Sequence, residues 1–490
     1  MLKTAGAVAS SISRQIIPNP FVFAIVLSAV VFLLGIGLTD SGPFQMVGHW
    51  YDGFWNLLTF SMQMVAILLF GYVLASSPPV RAGIKRVARI PKSAGQAIML
   101  VTALAIIFGL ISWGLGLIVG AIATKEVCEQ AKRRGIKVHF PLTAAAGFSG
   151  LIIFNSGLSA SAPLLVNTDG HFLADEIGLI PVTETIFSPY NLIVILTFLL
   201  VIPLVYKAMQ PPKEDTEEVP TDVGEESTSR PSKPQGHRST TAAETSMAMA
   251  EHDSQLPEEP VDGGAGVAVM ADADQTEAWS IAERLEHSRL LTAIIVIAGL
   301  GYVGYHFATQ GFDLNLNIMN FTLLMFGLVA YKTPIAYVHA IDDGIRACGQ
   351  IVLQFPFYAG IMGMMSGAGL VTVFANWIVA ISTPYTFPLA AMMSAAVVNL
   401  FVPSAGGQWA VQGPVLIEAA QSLNVDLGLT VMAFSYGDQL TNGIQPMWML
   451  PLLGIVALKA REILGYTAVM MMIAFVIFGV GVTLLPPLFI

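Results

Sequence analysis

What most constrains this chain is a recurrent pattern of apolar runs about twenty residues long, each cut by glycine, proline, amide or hydroxyl residues. An uncut run of that length matches a membrane-crossing α-helix, because the hydrocarbon layer is about 30 Å thick. Strands of a membrane barrel would instead alternate over about ten residues. The cuts are harder to accommodate. Lipid offers the backbone no hydrogen bonds, so broken helix survives at membrane depth only where it is buried in protein or lines a watery cavity. The sharpest cut is NLFVPSAGGQWAVQGP, Asn399 to Pro414, inside a stretch with no Lys or Arg between Arg346 and Lys459. It reads as the tip of a re-entrant hairpin. A Gly/Pro-broken apolar segment of this kind is the best sequence pointer to a transport site.

At 54% hydrophobic and 11% charged over 490 residues, the chain belongs with polytopic membrane proteins. Its net charge of −10 is local. Residues 208–288 hold 18 acidic against five basic side chains, while the remainder carries 18 basic and 15 acidic. The acidity therefore says nothing about a ligand. That segment is rich in Pro, Glu, Ser and Gly and reads as a disordered cytoplasmic linker. The first apolar run, Phe21 to Leu38, lacks a small-residue cleavage site and reads as a retained span. Two cysteines, Cys128 and Cys348, offer neither a disulfide framework nor a Cys/His metal cluster. No GxxxxGK[ST] loop is present for nucleotide-driven pumping, and nothing suggests a nucleic-acid partner.

Charge also orients the chain. Two basic loops, one from Arg81 to Lys92 and one from Lys125 to Lys137, flank an apolar stretch at 96–123. A single crossing would put equally basic loops on opposite faces, against the positive-inside rule. The stretch is therefore expected to enter and return, turning in GLISWGLG at 109–116. Crossings are expected at 19–38, 54–76, 189–206, 290–308, 318–331, 349–366 and 465–486, with broken crossings at 139–166 and 427–458 and a second hairpin at 387–421. A piece at 370–382 is too short to assign. The N-terminus and the linker then lie in the cytoplasm.

The halves share a weak register. Asp52-Gly53 and Gln63 recur as Asp343-Gly344 and Gln354, Phe148-Ser149 and Gly157 as Phe434-Ser435 and Gly443, and the break at Ser112 falls opposite Asn399. The charge map puts the copies in opposite orientation. The expected fold is all-α and polytopic, with two inverted-topology repeats, each holding a re-entrant hairpin and a broken transmembrane helix. The repeats occupy 1–207 and 289–490, joined by the linker 208–288. Such pairs of broken helices meet at a midplane site in secondary transporters.

Four broken segments should converge there, bringing unpaired backbone groups and helix N-termini that favour anions. The expected substrate contacts are Ser112, Trp113, Gly114, Asn155, Ser156, Ser159, Asn399, Ser404, Gly406, Gly407, Gln408, Trp409 and Asn442. Amides and hydroxyls can hold a small monocarboxylate; a dicarboxylate would need positive charge that none of the four segments supplies. Trp113 and Trp409 are placed to close over an aliphatic tail. Each has a plainer reading, since Gly and Ser serve close packing and tryptophans fill interfaces. Asp438 is an ionisable group inside a crossing, which is costly and functional by default. With Gln439 it is expected to bind a coupling ion, either H+ or Na+ with neighbouring carbonyls, and no other cofactor or metal is expected.

At these residues the chain resembles the short-chain fatty acid transporter family. The resemblance rests on DGFWNLLTFSMQM (52–64), WGLGLIVGA (113–121), QFPFYAGI (354–361), VPSAGGQWAVQGP (402–414) and the turn Tyr436-Gly437-Asp438-Gln439, and covers nearly the whole chain except the linker. It implies a cytoplasmic-membrane carrier of short-chain fatty acids within the two-hairpin ion transporters, which are commonly homodimers. Two departures lie at the expected site: Ser112 stands where an asparagine is expected, and Asn155-Ser156-Gly157 replaces a glycine-rich stretch after a tryptophan. The competing readings are a carrier of hydroxy acids or dicarboxylates, a passive channel, and an intramembrane serine protease suggested by Gly147-Phe148-Ser149-Gly150. The protease needs a histidine within reach of the serine, and no histidine lies centrally in a later span.

Overall fold

Proline, serine and glycine set the helix boundaries. The computed structural model describes residues 20–220, 279–400, 402 and 404–489. Helix α1 (Pro20–Leu38) leads to α2 (Pro43–Phe54), which opens on a proline whose missing N–H costs nothing at that position. Helix α3 (Leu58–Ser76) stops before Pro78, because the residue ahead of a proline is pushed out of the helical region. There α4 (Pro78–Val87) begins, carrying Arg81, Lys85 and Arg86.

Next comes the first hairpin. Helix α5 (Ala94–Ile111) is capped by Ser93, and Ser112 is extended at φ −157° and ψ 132° before α6 (Trp113–Arg133). A Cβ on Gly116 would lie 2.4 Å from the Cα of Gly109 and 3.1 Å from the carbonyl of Ala105. Only a helix that doubles back along α5 can make that pairing. A broken segment follows: α7 (Phe140–Gly147), two tight turns at Ser149–Ile152 and Phe154–Ser156, then α8 (Ser161–Val166). Helix α9 (Pro189–Ala208) ends the first half.

The second half runs α10 (Arg289–Gln310), α11 (Leu316–Tyr331) and α12 (Pro334–Gly344), with α11 and α12 bent by 120° at left-handed Lys332. Helices α13 (Gly349–Gly367) and α14 (Leu370–Ile381) meet at 78° across Gly369, whose φ of +77° suits a residue without Cβ. The second hairpin is α15 (Phe387–Asn399) and α16 (Ala405–Leu423). Its arms are tied by Gln408 Nε2 donating to the carbonyl of Ala395 (2.8 Å) and Gln412 Nε2 to Ser394 Oγ (2.9 Å). Then come α17 (Leu427–Leu440), a tight turn at Thr441–Ile444, α18 (Pro446–Val456) and α19 (Ala460–Thr483).

No strand occurs among the described residues. Among the described residues, five helices are long and apolar enough to cross a membrane, or up to seven if each bent pair is one span. The protein is a multi-pass membrane protein. Most of α2 occupies the stretch between the expected crossings at 19–38 and 54–76, and the break of the second hairpin that corresponds to Ser112 is at Ser404, within the expected tip, rather than at Asn399, which ends the first arm. Ser404 (φ −150°, ψ 105°) and Ser112 thus play the same part, each extended ahead of a second arm.

Two close approaches are reciprocal. Helix α2 lies on α13 at Gly53, where a Cβ would sit 2.6 Å from both the Ala359 carbonyl and the Gly363 Cα. Helix α12 lies on α3 at Gly344, where a Cβ would sit 2.9 Å from Leu69 and 3.0 Å from Tyr72.

The described residues up to Val219 and from Arg284 onward form one compact unit. Of the segment expected as a linker, 221–278 lies outside the described residues. Its beginning belongs to that unit. Phe140 N–H donates to the carbonyl of Glu217 (2.8 Å), and Glu217 N–H donates to His139 Nδ1 (3.0 Å). Lys132 Nζ holds the carbonyl of Val219 at 2.7 Å.

Candidate functional site

The breaks in the helices leave polar groups with no intrahelical partner, and the structure spends these on one another. Gly157 permits the first contact: a Cβ there would be 2.2 Å from the Leu110 carbonyl, which instead accepts the N–H of Leu158 at 2.6 Å. Beside it, the Ser159 hydroxyl accepts the N–H of Trp113 (3.1 Å), tying the first hairpin tip to the first broken helix.

The two broken helices are joined through Asn155. Its N–H donates to Gln439 Oε1 (2.8 Å), its Nδ2 to Asp438 Oδ2 (2.6 Å), and its own Oδ1 accepts from the N–H of Ser161 (3.0 Å). Gln439 Nε2 donates to Ser156 Oγ at 3.1 Å, and Asn442 Nδ2 to the Leu151 carbonyl at 3.1 Å. Asn399 closes the second hairpin onto α17: its Nδ2 serves the Asp438 carbonyl, Thr441 Oγ1 (2.9 Å) and Asn442 Oδ1 (3.0 Å), while its carbonyl accepts from Gln445 Nε2 (2.7 Å). Replacing Asn399 by Ala strands these buried acceptors. Asn399→Ala is expected to cost about 1–2 kcal/mol, read as a lower unfolding temperature in detergent.

Inside this network lies a cavity of about 80 Å³. Its polar wall is Ser161, Asn399, Ser404, Asp438, Asn442 and Gln354; Met64, Trp113, Leu151, Phe154, Phe355 and Trp448 make the apolar one. The first turn of α16, at Ala405 and Gly406, faces in from the hairpin tip. Ser404 Oγ accepts the Gly407 N–H and its carbonyl accepts the Gln408 N–H, so the N–H groups of Ala405 and Gly406 remain for an anion. Among the described residues, no Lys, Arg or His lines the cavity. Asp438 is 1% exposed, its Oδ1 has no hydrogen-bond partner, and it makes no ion pair among the described residues. Two unpaired charges cannot share so buried a site cheaply.

Of the residues expected at a site, Trp113, Asn399, Ser404, Gly406, Asp438 and Asn442 line the cavity, and Asn155, Ser156, Ser159 and Gln439 support it. Five do not reach it. Ser112 turns its hydroxyl toward Gly71, Gly114 packs on Leu68, and Gly407 packs on Tyr358. Gln408 is consumed tying the hairpin arms. Trp409 is 0% exposed, against Phe434 at 4.8 Å and over Gly413, so it does not close over a ligand. Helical phase explains this: past Gly406, α16 has rotated its side chains away from the cavity. Met64, Phe355 and Trp448, which also line the cavity, carry no such signal in the sequence. Gln354 was visible as the repeat mate of Gln63, which itself bonds Asn317 Oδ1 at 2.8 Å instead.

Hairpins and broken helices gathered around a cation-free cavity mark an all-helical, multi-pass transporter. The profile of the short chain fatty acid transporter family matches residues 1–251 and 267–485, and the chain belongs to that family. A relative from Escherichia coli, named a candidate short-chain fatty acid transporter, is 36% identical over 468 residues, 96% of each chain. One of the same name from Haemophilus influenzae is 35% identical over 473 residues, covering 95% of this chain and 96% of its own. In fold, the chain is similar to the crystal structure of the YdaH transporter of Alcanivorax borkumensis, with a TM-score of 0.52 at 14% identity over 96% of this chain and 100% of that one. Membership makes the chain a transporter and not an enzyme; the protease reading of Ser149 falls with it.

Proposed function

We propose that the protein is a secondary active carrier of short monocarboxylates such as butyrate and acetoacetate, coupled to H+ or Na+. The observation that carries this reading is the pairing, in one cavity, of a helix N-terminus without basic side chains and a single buried carboxyl with one oxygen unpartnered and no ion pair among the described residues. One anionic group fits the free N–H groups of α16; a second would find no counter-charge, which argues against dicarboxylates. At about 10–15 Å³ per water-sized position, 80 Å³ suits the four carbons and two oxygens of butyrate. Asp438 must be neutral or face a cation while the acid is bound, since a buried lone carboxylate beside an anion is prohibitively costly. That requirement ties the movement of acid to the movement of an ion. No further cofactor enters this reading.

The repeat supports alternating access. Shifting Leu69 and Tyr72 by the sequence offset of 291 lands on Gly360 and Gly363, the neighbourhood Gly53 meets, which supports reading the α2–α13 and α12–α3 contacts as copies related by a two-fold rotation. With basic loops inside, the copies run in opposite directions, both hairpins are re-entrant, and the linker and N-terminus are cytoplasmic. We place the carrier in the inner membrane as a homodimer, on the resemblance described above.

Uptake of labelled butyrate into proteoliposomes, with pH and Na+ gradients imposed separately, tests this. Saturable, gradient-driven accumulation above that of protein-free vesicles is expected with one of the two gradients. Downhill, non-saturating flux alone would make the protein a channel.

A further inference from the structure

The cavity contains a second unsatisfied group that the network leaves over. Trp448 stands in the first turns of α18, directly after the break at Thr441–Ile444, and lines the cavity. Its ring meets Trp113 edge-on, with centroids 5.6 Å apart and planes at 84°. Trp113 is the first residue of α6, so this aromatic pair joins the first hairpin tip to the second broken helix. The ring is therefore held by packing. Its Nε1 is buried and has no hydrogen-bond partner.

An indole nitrogen can only donate, so whatever satisfies it must bring an acceptor. A buried donor left unpaired is costly, and among the described residues lining the cavity Trp448 Nε1 is the one buried side-chain donor without a partner. The remaining orphan at the cavity, Asp438 Oδ1, is an acceptor when ionised and selects for a donor or a cation instead. Resting on the carrier reading above, we propose that Trp448 is the specificity-determining residue of the cavity. Its N–H hydrogen-bonds an oxygen of the acid, and its ring, braced on Trp113, sets the length of alkyl chain that fits against Met64 and Phe355. The ligand class is a short acid whose oxygen and hydrocarbon ends are separated by a few carbons.

The test uses full-length protein in proteoliposomes. Trp448→Phe keeps a ring on Trp113 and deletes the donor. Hydrogen bonds to charged groups imply that the KM for butyrate rises about ten- to hundredfold while the maximal rate changes little, because ground-state binding is what is lost. Trp448→His restores a ring N–H and is expected to recover most of that loss. Trp448→Ala is expected to shift preference from butyrate toward hexanoate. Trp409→Phe, outside the cavity, controls for general loss of indole packing and should leave KM unchanged. An unchanged KM in Trp448→Phe, or a fall in maximal rate alone, would overturn the proposal, as would Phe and His variants that behave alike. Wild-type protein that carries no butyrate would instead refute the carrier reading itself.

Discussion

Asp438→Asn is expected to abolish uphill accumulation of butyrate while leaving butyrate exchange across the vesicle membrane. The substitution preserves volume and keeps an oxygen for Asn155 Nδ2, which Asp438 accepts at 2.6 Å. The Asn399 contact is to the Asp438 main-chain carbonyl and is untouched. What disappears is the ability to take up and release a proton, or to hold a cation by charge, at the only ionisable side chain lining the cavity among the described residues. A carrier coupled to one proton gains about 1.4 kcal/mol per unit of pH gradient, which is tenfold accumulation. The Asn variant should fall to a ratio near one. Protein-free vesicles must be subtracted, because the protonated acid crosses bilayers unaided. Accumulation that survives in Asp438→Asn would put coupling elsewhere, and full loss of exchange as well would make Asp438 a substrate ligand rather than a coupling group.

What could be read from the sequence follows from what period and breakage encode. Long apolar runs fix which stretches are helical, and glycine or proline marks where they stop, so α5, α6, α15 and α16 were all legible with their turn nearby. The two equally basic loops that flank α5 and α6 require the pair to double back. Asn155 and Asp438 stood out because amides and carboxyls are costly amid apolar residues. Rotation about a helix axis was not legible. Near Gly406 a residue either way separates the cavity wall from the packed interior, and a helix buried over most of its circumference, with its amides used to tie the hairpin arms, shows no exposed polar face to reveal which side meets the cavity. Trp409 and Trp448 therefore exchanged roles. Trp448 looked like one more aromatic of an apolar run, and Trp409 drew attention by sitting in the most broken segment. The Ser112 and Ser404 correspondence was missed for a related reason: both tips are defined by extended backbone, and their flanking side chains do not match.

The first hairpin offers the largest expected structural effect. Gly120→Ala should lower the unfolding temperature sharply, because α6 and α7 meet there backbone to backbone. A Cβ on Gly120 would lie 1.9 Å from the Gly147 carbonyl oxygen, and one on Gly147 would lie 2.7 Å from the Gly120 carbonyl oxygen. What a Gly120 Cβ meets is backbone alone, and a Gly147 Cβ would also meet the Thr124 Oγ1 at 2.6 Å. The Thr124 hydroxyl, which donates to the Gly120 carbonyl (2.7 Å) and touches the Thr143 carbonyl (3.2 Å), fills the rest of the seam. Separation of the helices would also strain Gly150, whose Cα lies 2.6 Å from where a Gly109 Cβ would be, and through it the break that carries Asn155. Overpacking of this kind costs about 1–3 kcal/mol and occasionally more, and since membrane helices associate largely through close packing of small residues, transport should fall with stability. Gly83→Ala is the counterpart: it lies within α4 with open space where its Cβ would go, so relief of glycine's entropy should add about 0.5–1 kcal/mol. Thermal unfolding of the two variants in detergent decides the matter, since helix propensity alone would make both Ala substitutions stabilising. Equal unfolding temperatures would mean that the α6–α7 seam is looser than backbone contact requires.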